Sequence, residues 1–393
     1  MSDFSQQGPI TTLQRLNENG AAEIESQLER WARKTPIALV LPCHAAELGQ
    51  PALEHLLDEL TGVKFLREIV ISMNGLDHQS VQHARKTFAR LPQEHCILWN
   101  DSERAISARA AVGGNFRPGK GLNVWTALGL LSQEARCRFV AILDCDVTTF
   151  RREMLARLCF ACVAPELNYA LAKMYYSRIT DRLHGRASRL FLAPLLQAIV
   201  RVSGHQPLVG FLSSFRYPLA GECALRFDLA AALPFSAGWG LEIGILCEAF
   251  RQADPREICQ VDGGSHYEHR HQTITADPGT GLFYMCKQIA DTLLGQLVEE
   301  GLPICDTFLG AVRGAFSLCA EDALRRFQHL ALINGLAFDS AQEGTAVASF
   351  SGALGEACSE FLSGAAPVAL PAWQRVHAHS PQQAHAFLRS VVA

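Results

Sequence analysis

The chain reads as an α/β protein: a mostly parallel mixed sheet with flanking helices, then a helical C-terminal extension. Three features lead there. Short apolar runs alternate with amphipathic stretches between residues 37 and 143. An Asp-x-Asp pair, Asp144-Cys145-Asp146, stands directly after the fourth of those runs, where the strand ends of α/β folds collect ligands. From Gly281 the pattern turns helical to about Gln328. The expected division is a lead-in over 1–35, a main domain over 36–280 and a mainly helical extension over 281–393.

Taken in order, Leu13, Leu16, Ile24, Leu28 and Trp31 fall near helical spacing, which makes residues 1–35 a peripheral helical lead-in. Ile37–Leu41 (IALVL) is a buried strand, ended by Pro42. Pro51 to Leu60 reads as a helix, Glu68–Ser72 (EIVIS) as a strand and Ser80 to Arg90 as a helix. Cys96–Trp99 is a short strand, Lys120 to Leu131 a helix, and Phe139–Leu143 (FVAIL) the fourth strand. Beyond residue 150 come a helix over Met154–Val163, a strand over Tyr169–Met174 and a long helix from Gly185 to Val202. A helix over Leu241–Arg251 and a strand over Glu257–Val261 follow. Residues 340–393, rich in Ala, Gly and Ser, carry too weak a pattern to be placed closely.

Composition sets outer limits. About half of the 393 residues are apolar, enough for a sizeable core. With 35 basic and 39 acidic residues the net charge is −4, so no global excess exists to hold nucleic acid or an anionic membrane. A local basic pocket stays open. The polar start, SDFSQQGPITT, lacks a signal-peptide pattern, and no run of about 18 apolar residues is present. The 13 cysteines are odd in number, scattered and mostly inside apolar runs, as reduced cytoplasmic thiols are. Cys159 and Cys162 form one close pair, set in an apolar helical run with no second pair nearby.

The sharpest chemical feature is the pair Asp144 and Asp146. Two carboxylates at the mouth of a buried strand are costly unless compensated, and a divalent cation that also holds a diphosphate is the usual compensation. Aspartate is also a common turn former after strands. Gly119-Lys120-Gly121 opens a helix. Gly114 to Lys120 fits G-x-x-x-x-G-K, but Gly121 stands where a P-loop needs Ser or Thr. Lys120 suits a phosphate at a helix N-terminus, or is a solvated loop lysine. His266, His269 and His271 lie in SHYEHRHQ; one of them completes a metal site, or the segment is a polar loop. Gly185-Arg186-Ala187-Ser188 opens a helix after Arg178, Arg182 and His184. Free N–H groups, a hydroxyl and a guanidinium there make an anion pocket, or merely cap the helix. Pro218–Glu222 (PLAGE) and Gly238–Glu242 (GWGLE) each place one acid in a glycine-bearing turn, to cap a helix or face a ligand.

In this order, GKG, D-x-D, GRAS, PLAGE, GWGLEIG and HRH resemble the glucosyl-3-phosphoglycerate synthases, retaining glycosyltransferases of GT-A fold. The resemblance spans roughly residues 37–275; PLAGE followed by GWGLEIG is its most specific part. It implies a GT-A glycosyltransferase domain, UDP-glucose as donor, 3-phosphoglycerate as acceptor and Mg2+ (or Mn2+). It implies Asp144, Asp146 and His269 as metal ligands and Lys120 beside the donor diphosphate. Gly185, Arg186 and Ser188 then hold the acceptor, where threonine is more usual than Ser188. Leu219, Gly221 and Glu242 surround the donor glucose and acceptor, with Glu242 orienting and Asp146 serving catalysis through the metal. A homodimer is implied in the same way.

Two departures bear on the donor. Pro42-Cys43-His44-Ala45-Ala46-Glu47 stands where the family has a P-A-L-N-E-E-like segment, and Ser72-Met73-Asn74-Gly75-Leu76-Asp77 replaces an acidic turn. Pro42, His44, Glu47 and Asn74 are therefore expected to meet the nucleotide, with GDP-glucose or a mannose donor as the alternative to UDP-glucose. His271 stands where the family tends to have Asn beside the acceptor. The rival readings are a sugar nucleotidyltransferase, which would release pyrophosphate, and a nucleotide-sugar-binding protein without turnover.

Overall fold

A computed structural model describes residues 6, 8–17, 20–113, 118–264, 266–268, 281–364 and 369–393. Its first half alternates β1 (Thr11–Leu13), α1 (Ala21–Trp31), β2 (Ile37–His44), α2 (Pro51–Thr61), β3 (Leu66–Asn74), α3 (His78–Phe88), β4 (Glu94–Trp99), α4 (Glu103–Arg109), α5 (Lys120–Glu134) and β5 (Phe139–Ile142). There follow α6 (Arg152–Val163), β6 (Leu171–Tyr175), a π-helical turn (Ala187–Leu192), α7 (Ala193–Ser203), α8 (Pro207–Ser214), β7 (Cys223–Arg226), α9 (Phe227–Ala232), α10 (Leu241–Gln252) and β8 (Ile258–Asp262). The extension holds α11 (Gly281–Glu299), α12 (Asp306–Ile333), α13 (Ser340–Leu362), α14 (Trp373–His379) and α15 (Pro381–Val391).

Among the described residues the strands form one sheet in the order β1-β8-β6-β7-β5-β2-β3-β4. Only β7 runs antiparallel to its neighbours. Both faces are covered, so β2 reads as a continuous apolar run. Ile37, Leu39 and Leu41 pack into a core with α2, α3 and α6, while Ala38 and Val40 pack into the core of α5 and the later helices.

Three expectations are corrected. Pro42 does not end its strand, because β2 continues to His44 alongside β3. Pairing with β5 stops at Val40↔Ile142, so a residue without an N–H is tolerated just beyond it. The lead-in is not helical throughout: Thr11–Leu13 adds an edge strand to β8, held by the Gln260 amide on Thr12 Oγ1 at 2.8 Å. The helix expected from Gly185 begins as a π turn at Ala187, after Gly185 takes the left-handed conformation at φ +73°. The described residues of 340–393 are mostly helical and fold back on the sheet layer. There Trp373 stacks on Trp125 at 4.4 Å, and its indole N–H donates to the Trp125 carbonyl at 2.7 Å. Gly129 gives Trp373 its room, since any Cβ at that position would run into the indole.

The antiparallel β7, which no sequence pattern announced, sets the site. Its first residue, Cys223, pairs with Ile142, the last of β5. The Gly221-Glu222 turn before β7 therefore meets Asp144 just after β5, and this register joins two motifs far apart in sequence.

Candidate active site

Lys120 is the centre of the arrangement. It is the first residue of α5, and its ammonium lies 2.6 Å from Asp144 Oδ1 and 2.7 Å from Glu242 Oε1. Burial works against its charge, but the two carboxylates outweigh burial and hold it well above the ordinary lysine range. Glu242 comes from the first turn of α10 and is 6% exposed. Gly221 closes the cluster: a Cβ there would overlap Asp144 Oδ2 and lie 2.5 Å from Lys120 Nζ.

The neighbouring glycines answer to backbone packing. A side chain on Gly121 would strike the Ser236 carbonyl, and the Leu122 N–H donates to the Ala237 carbonyl at 3.0 Å. The second glycine of GKG thus seats α5 against the 236–237 loop. Those of GWG make room for Gln288 and Thr292 of α11, and Gln288 Oε1 accepts the Trp239 N–H at 2.9 Å.

Asp146 follows one residue after the buried Cys145. Its carboxyl is pushed up to about 7, first by burial and then by Asp144, against the pull of Lys120; Glu47 and Glu222 add to the repulsion. Asp144 and Asp146 at one strand mouth are an all-oxygen donor set of the kind a hard divalent cation takes. His269 and His271 lie outside the described residues. Of the same segment, Glu268 is tied to the loop after Asp146: its carbonyl accepts the Thr148 N–H at 2.8 Å and its N–H reaches Thr149 Oγ1 at 2.9 Å. Among the described residues no group of three His, Cys, Asp or Glu side chains stands in metal-ligating array.

Glu222 caps no helix. It is buried, accepting hydroxyls from Tyr176 at 2.9 Å and Tyr267 at 2.5 Å, and those two rings stack at 3.6 Å. Burial raises its carboxyl and Asp144 raises it further. Beneath the same turn the buried Lys173 ammonium donates to the Ala220 carbonyl, which fixes the backbone next to Gly221.

A cavity of about 580 Å³ opens from this cluster. Lys120, Asp144, Leu219, Gly221 and Glu242 line one end; Gly185, Arg186 and Ser188 line the other. Ser188 Oγ is buried and has no hydrogen-bond partner among the described residues. The expected free N–H groups are fewer than the sequence suggested, because those of Ser188 and Arg189 turn back to the Gly185 carbonyl. Sequence reasoning missed Tyr217 and Trp239 in the lining, and Leu282, Met285 and Gln342 from the extension.

The expected base site lies at the strand ends, outside that lining. His44 and Asn74 are register partners on β2 and β3. His44 caps the 3-10 turn of Ala45–Glu47 through Nδ1, and its ring lies over Gly75. Asn74 ends a chain of amides: Asn100 donates to Met73 O at 3.1 Å and to Asn123 Oδ1 at 2.9 Å, and Asn123 donates to Asn74 Oδ1 at 2.9 Å. Asn100 and Asn123 carried no signal in the sequence beyond being polar residues in apolar surroundings.

All thirteen cysteines are free, and Cys159 and Cys162 are buried core residues of α6 whose thiols burial raises. Among the described residues no helix is long and apolar enough to cross a membrane.

Compared with known proteins, the chain is 33% identical over 398 residues to a glucosyl-3-phosphoglycerate synthase of Persephonella marina, covering 100% of this chain and 98% of that protein. It is 30% identical over 365 residues to one of Methanococcoides burtonii, covering 90% and 89%. No family model matches it. Among solved structures, the fold is similar to that of glucosyl-3-phosphoglycerate synthase from Mycobacterium tuberculosis, in a complex with Mn2+, UDP-glucose and phosphoglyceric acid. There the TM-score is 0.56 at 24% identity, over 75% of this chain and 89% of that one.

Proposed function

The chain belongs to the glucosyl-3-phosphoglycerate synthase family, and from that premise we propose that it moves glucose from UDP-glucose to 3-phosphoglycerate with retention at the anomeric carbon. The observation that carries this reading is the single cavity joining the Lys120–Asp144–Glu242 cluster to Arg186 and the unpartnered Ser188 hydroxyl. A cation held at the first end suits a diphosphate, and a guanidinium with a hydroxyl at the other suits a phosphorylated acceptor.

Asp144 and Asp146, with His269 as the third ligand that the resemblance implies, would hold Mg2+ or Mn2+, which would supply positive charge against the donor diphosphate. Lys120 adds a second positive charge at the same end. Glu242, fixed by Lys120, orients the sugar rather than attacking it. Gly221 and Leu219 let the glucose lie against backbone. Arg186 and Ser188 fix the acceptor phosphate, which presents the acceptor hydroxyl to the anomeric carbon. The bond from that carbon to the diphosphate breaks, the bond to the acceptor oxygen forms on the same face, and the hydroxyl proton passes to the leaving phosphate oxygen. The resemblance adds His271 as a further acceptor contact.

A homodimer working in the cytoplasm completes the proposal. The exposed apolar end of α12, Leu330, Leu332 and Ile333, supports a second copy there, and the free thiols support the compartment. Sedimentation at micromolar concentration would test the dimer; a monomer there removes it.

The central test is a donor screen against 3-phosphoglycerate that follows nucleotide release. UDP is expected. No nucleotide release from any nucleotide-sugar, with pyrophosphate formed instead from UTP and glucose 1-phosphate, would reinstate a nucleotidyltransferase, and unphosphorylated glycerate serving equally well would overturn the acceptor pocket.

A further inference from the structure

Arg186 is not a loose surface arginine reaching for a phosphate. Its Nε donates to Glu343 Oε1 at 2.8 Å and its Nη2 to Gln342 Oε1 at 2.8 Å, both from the first turn of α13. Glu343 is 4% exposed, and its second oxygen is taken by the buried Arg189. Arg189 donates further to the His184 and Leu183 carbonyls and lies 5.3 Å from the Phe327 ring, so its charge is enclosed in the protein.

This arrangement settles two questions about Arg186. The first is charge. Glu343 faces two guanidinium groups, so the trio keeps one net positive charge. Arg189 is sequestered, and that charge is left on the arginine that lines the cavity. The second is orientation. A guanidinium has five N–H donors. The bonds to α13 take one on Nε and one on Nη2, leaving both on Nη1 and the second on Nη2. Those remaining donors lie at the end of the side chain, where a phosphate can be held by two of them.

The geometry points to Glu343 and Gln342 of the C-terminal extension as positioning residues for the acceptor: α13 preorganises Arg186 for the phosphate of 3-phosphoglycerate. This rests on the reading of Arg186 as the acceptor clamp. It gives the extension a part in the reaction, because without α13 the clamp would be a flexible side chain that the acceptor itself must order.

Steady-state kinetics on the full chain test it, varying 3-phosphoglycerate at saturating UDP-glucose. Glu343→Gln keeps the shape and removes the charge. It is expected to raise the acceptor KM by about 3–10-fold, the range for ordering one long side chain, with kcat and the UDP-glucose KM little changed. The preference for 3-phosphoglycerate over glycerate should fall by the same factor, which a purely structural role would not produce. Gln342→Ala, at an exposed position, should give a smaller shift in the same direction and decides the matter if Glu343→Gln fails to fold. Wild-type acceptor KM in the folded variants overturns the inference, as does a lower KM, which would make Glu343 a competitor of the phosphate. A fall in kcat at constant KM overturns it as well. Arg186→Ala separates the two levels: if it too leaves the acceptor KM unmoved, the clamp assignment has failed and not merely its positioning.

Discussion

The two ends of the cavity are built on different principles. At the proposed donor end Lys120, Asp144, Gly221 and Glu242 converge on strand mouths and helix starts that the sheet register fixes, with Gly221 placed by the pairing of Cys223 with Ile142. At the proposed acceptor end one side chain, Arg186, leans on a helix 157 residues further along the chain. The donor end has no slack, since even a methyl group on Gly221 would displace Asp144 or Lys120. The acceptor end depends on tertiary docking of α13. Damage to the first should therefore stop the chemistry, and damage to the second should weaken binding while chemistry continues.

The largest effect should come from Asp144→Ala or Asp146→Ala, or from EDTA. Each is expected to remove turnover to background while circular dichroism and Tm stay close to wild type, because Lys120 keeps Glu242 as a partner and Asp146 is held against repulsion from Asp144. Full activity in metal-free buffer would break the comparison at its donor end.

Next is the layer that carries the extension. Trp373 is fully buried between Trp125 and Phe387. Trp373→Ala should cost about 3–5 kcal/mol, as large-to-small changes of core aromatics do, measurable as a lower urea midpoint. If activity at low temperature survives that loss, the donor end stands independently of the extension's docking, and the contrast sharpens.

How far all this was legible in the sequence follows the same division. IALVL, EIVIS and FVAIL declare strands because both of their faces are buried, whereas the helix expected from Ser80 begins at His78, where Asp77 and Ser80 form a capping box. β7 was invisible: four residues, CALR, are too few to show a period, and their strand identity comes from neighbours on both sides. Its consequence, Gly221 against Asp144, was equally hidden, although the motif that contains it was not. One sign of the extension's return was present in α5, whose residues Gly121 to Leu131 are buried on every side. A helix apolar all round must be covered all round, and its outer cover is Trp373. Glu343 gave no sign, because a single acid in an Ala/Gly/Ser-rich run looks solvated until the two arginines that meet it are known.

Of intermediate size is the clamp. Arg186→Ala should raise the acceptor KM by the equivalent of about 1.5–3 kcal/mol, the worth of a charge-assisted hydrogen bond, with the donor KM little changed. Equal loss on both substrates would mean that the two ends are not separable and would break the comparison.

The smallest effect is expected at the nucleotide base, a part of the donor end that lies apart from the Lys120 cluster. Asn74 stands at the carboxyl end of β3, and its Oδ1 already accepts from Asn123. At the far end of that amide chain the Asn100 side-chain amide donates to the Met73 carbonyl, which also accepts the Asn100 backbone N–H at 3.0 Å. Asn74 still has its N–H2 group to offer, which suits the two carbonyl oxygens of uracil better than the single O6 beside the N1–H and amino donors of guanine. A site built in this way rejects the wrong base because mispaired polar groups stay unsatisfied. Asn74→Ala should reduce the ratio of kcat/KM for UDP-glucose over GDP-glucose roughly 5-fold, about the net worth of one neutral hydrogen bond, with less effect on the maximal rate. Asn123→Ala, which frees the Asn74 amide to turn, should reduce the ratio in the same direction. Equal kcat/KM for the two donors in the wild type would show that the amide chain does not read the base at all.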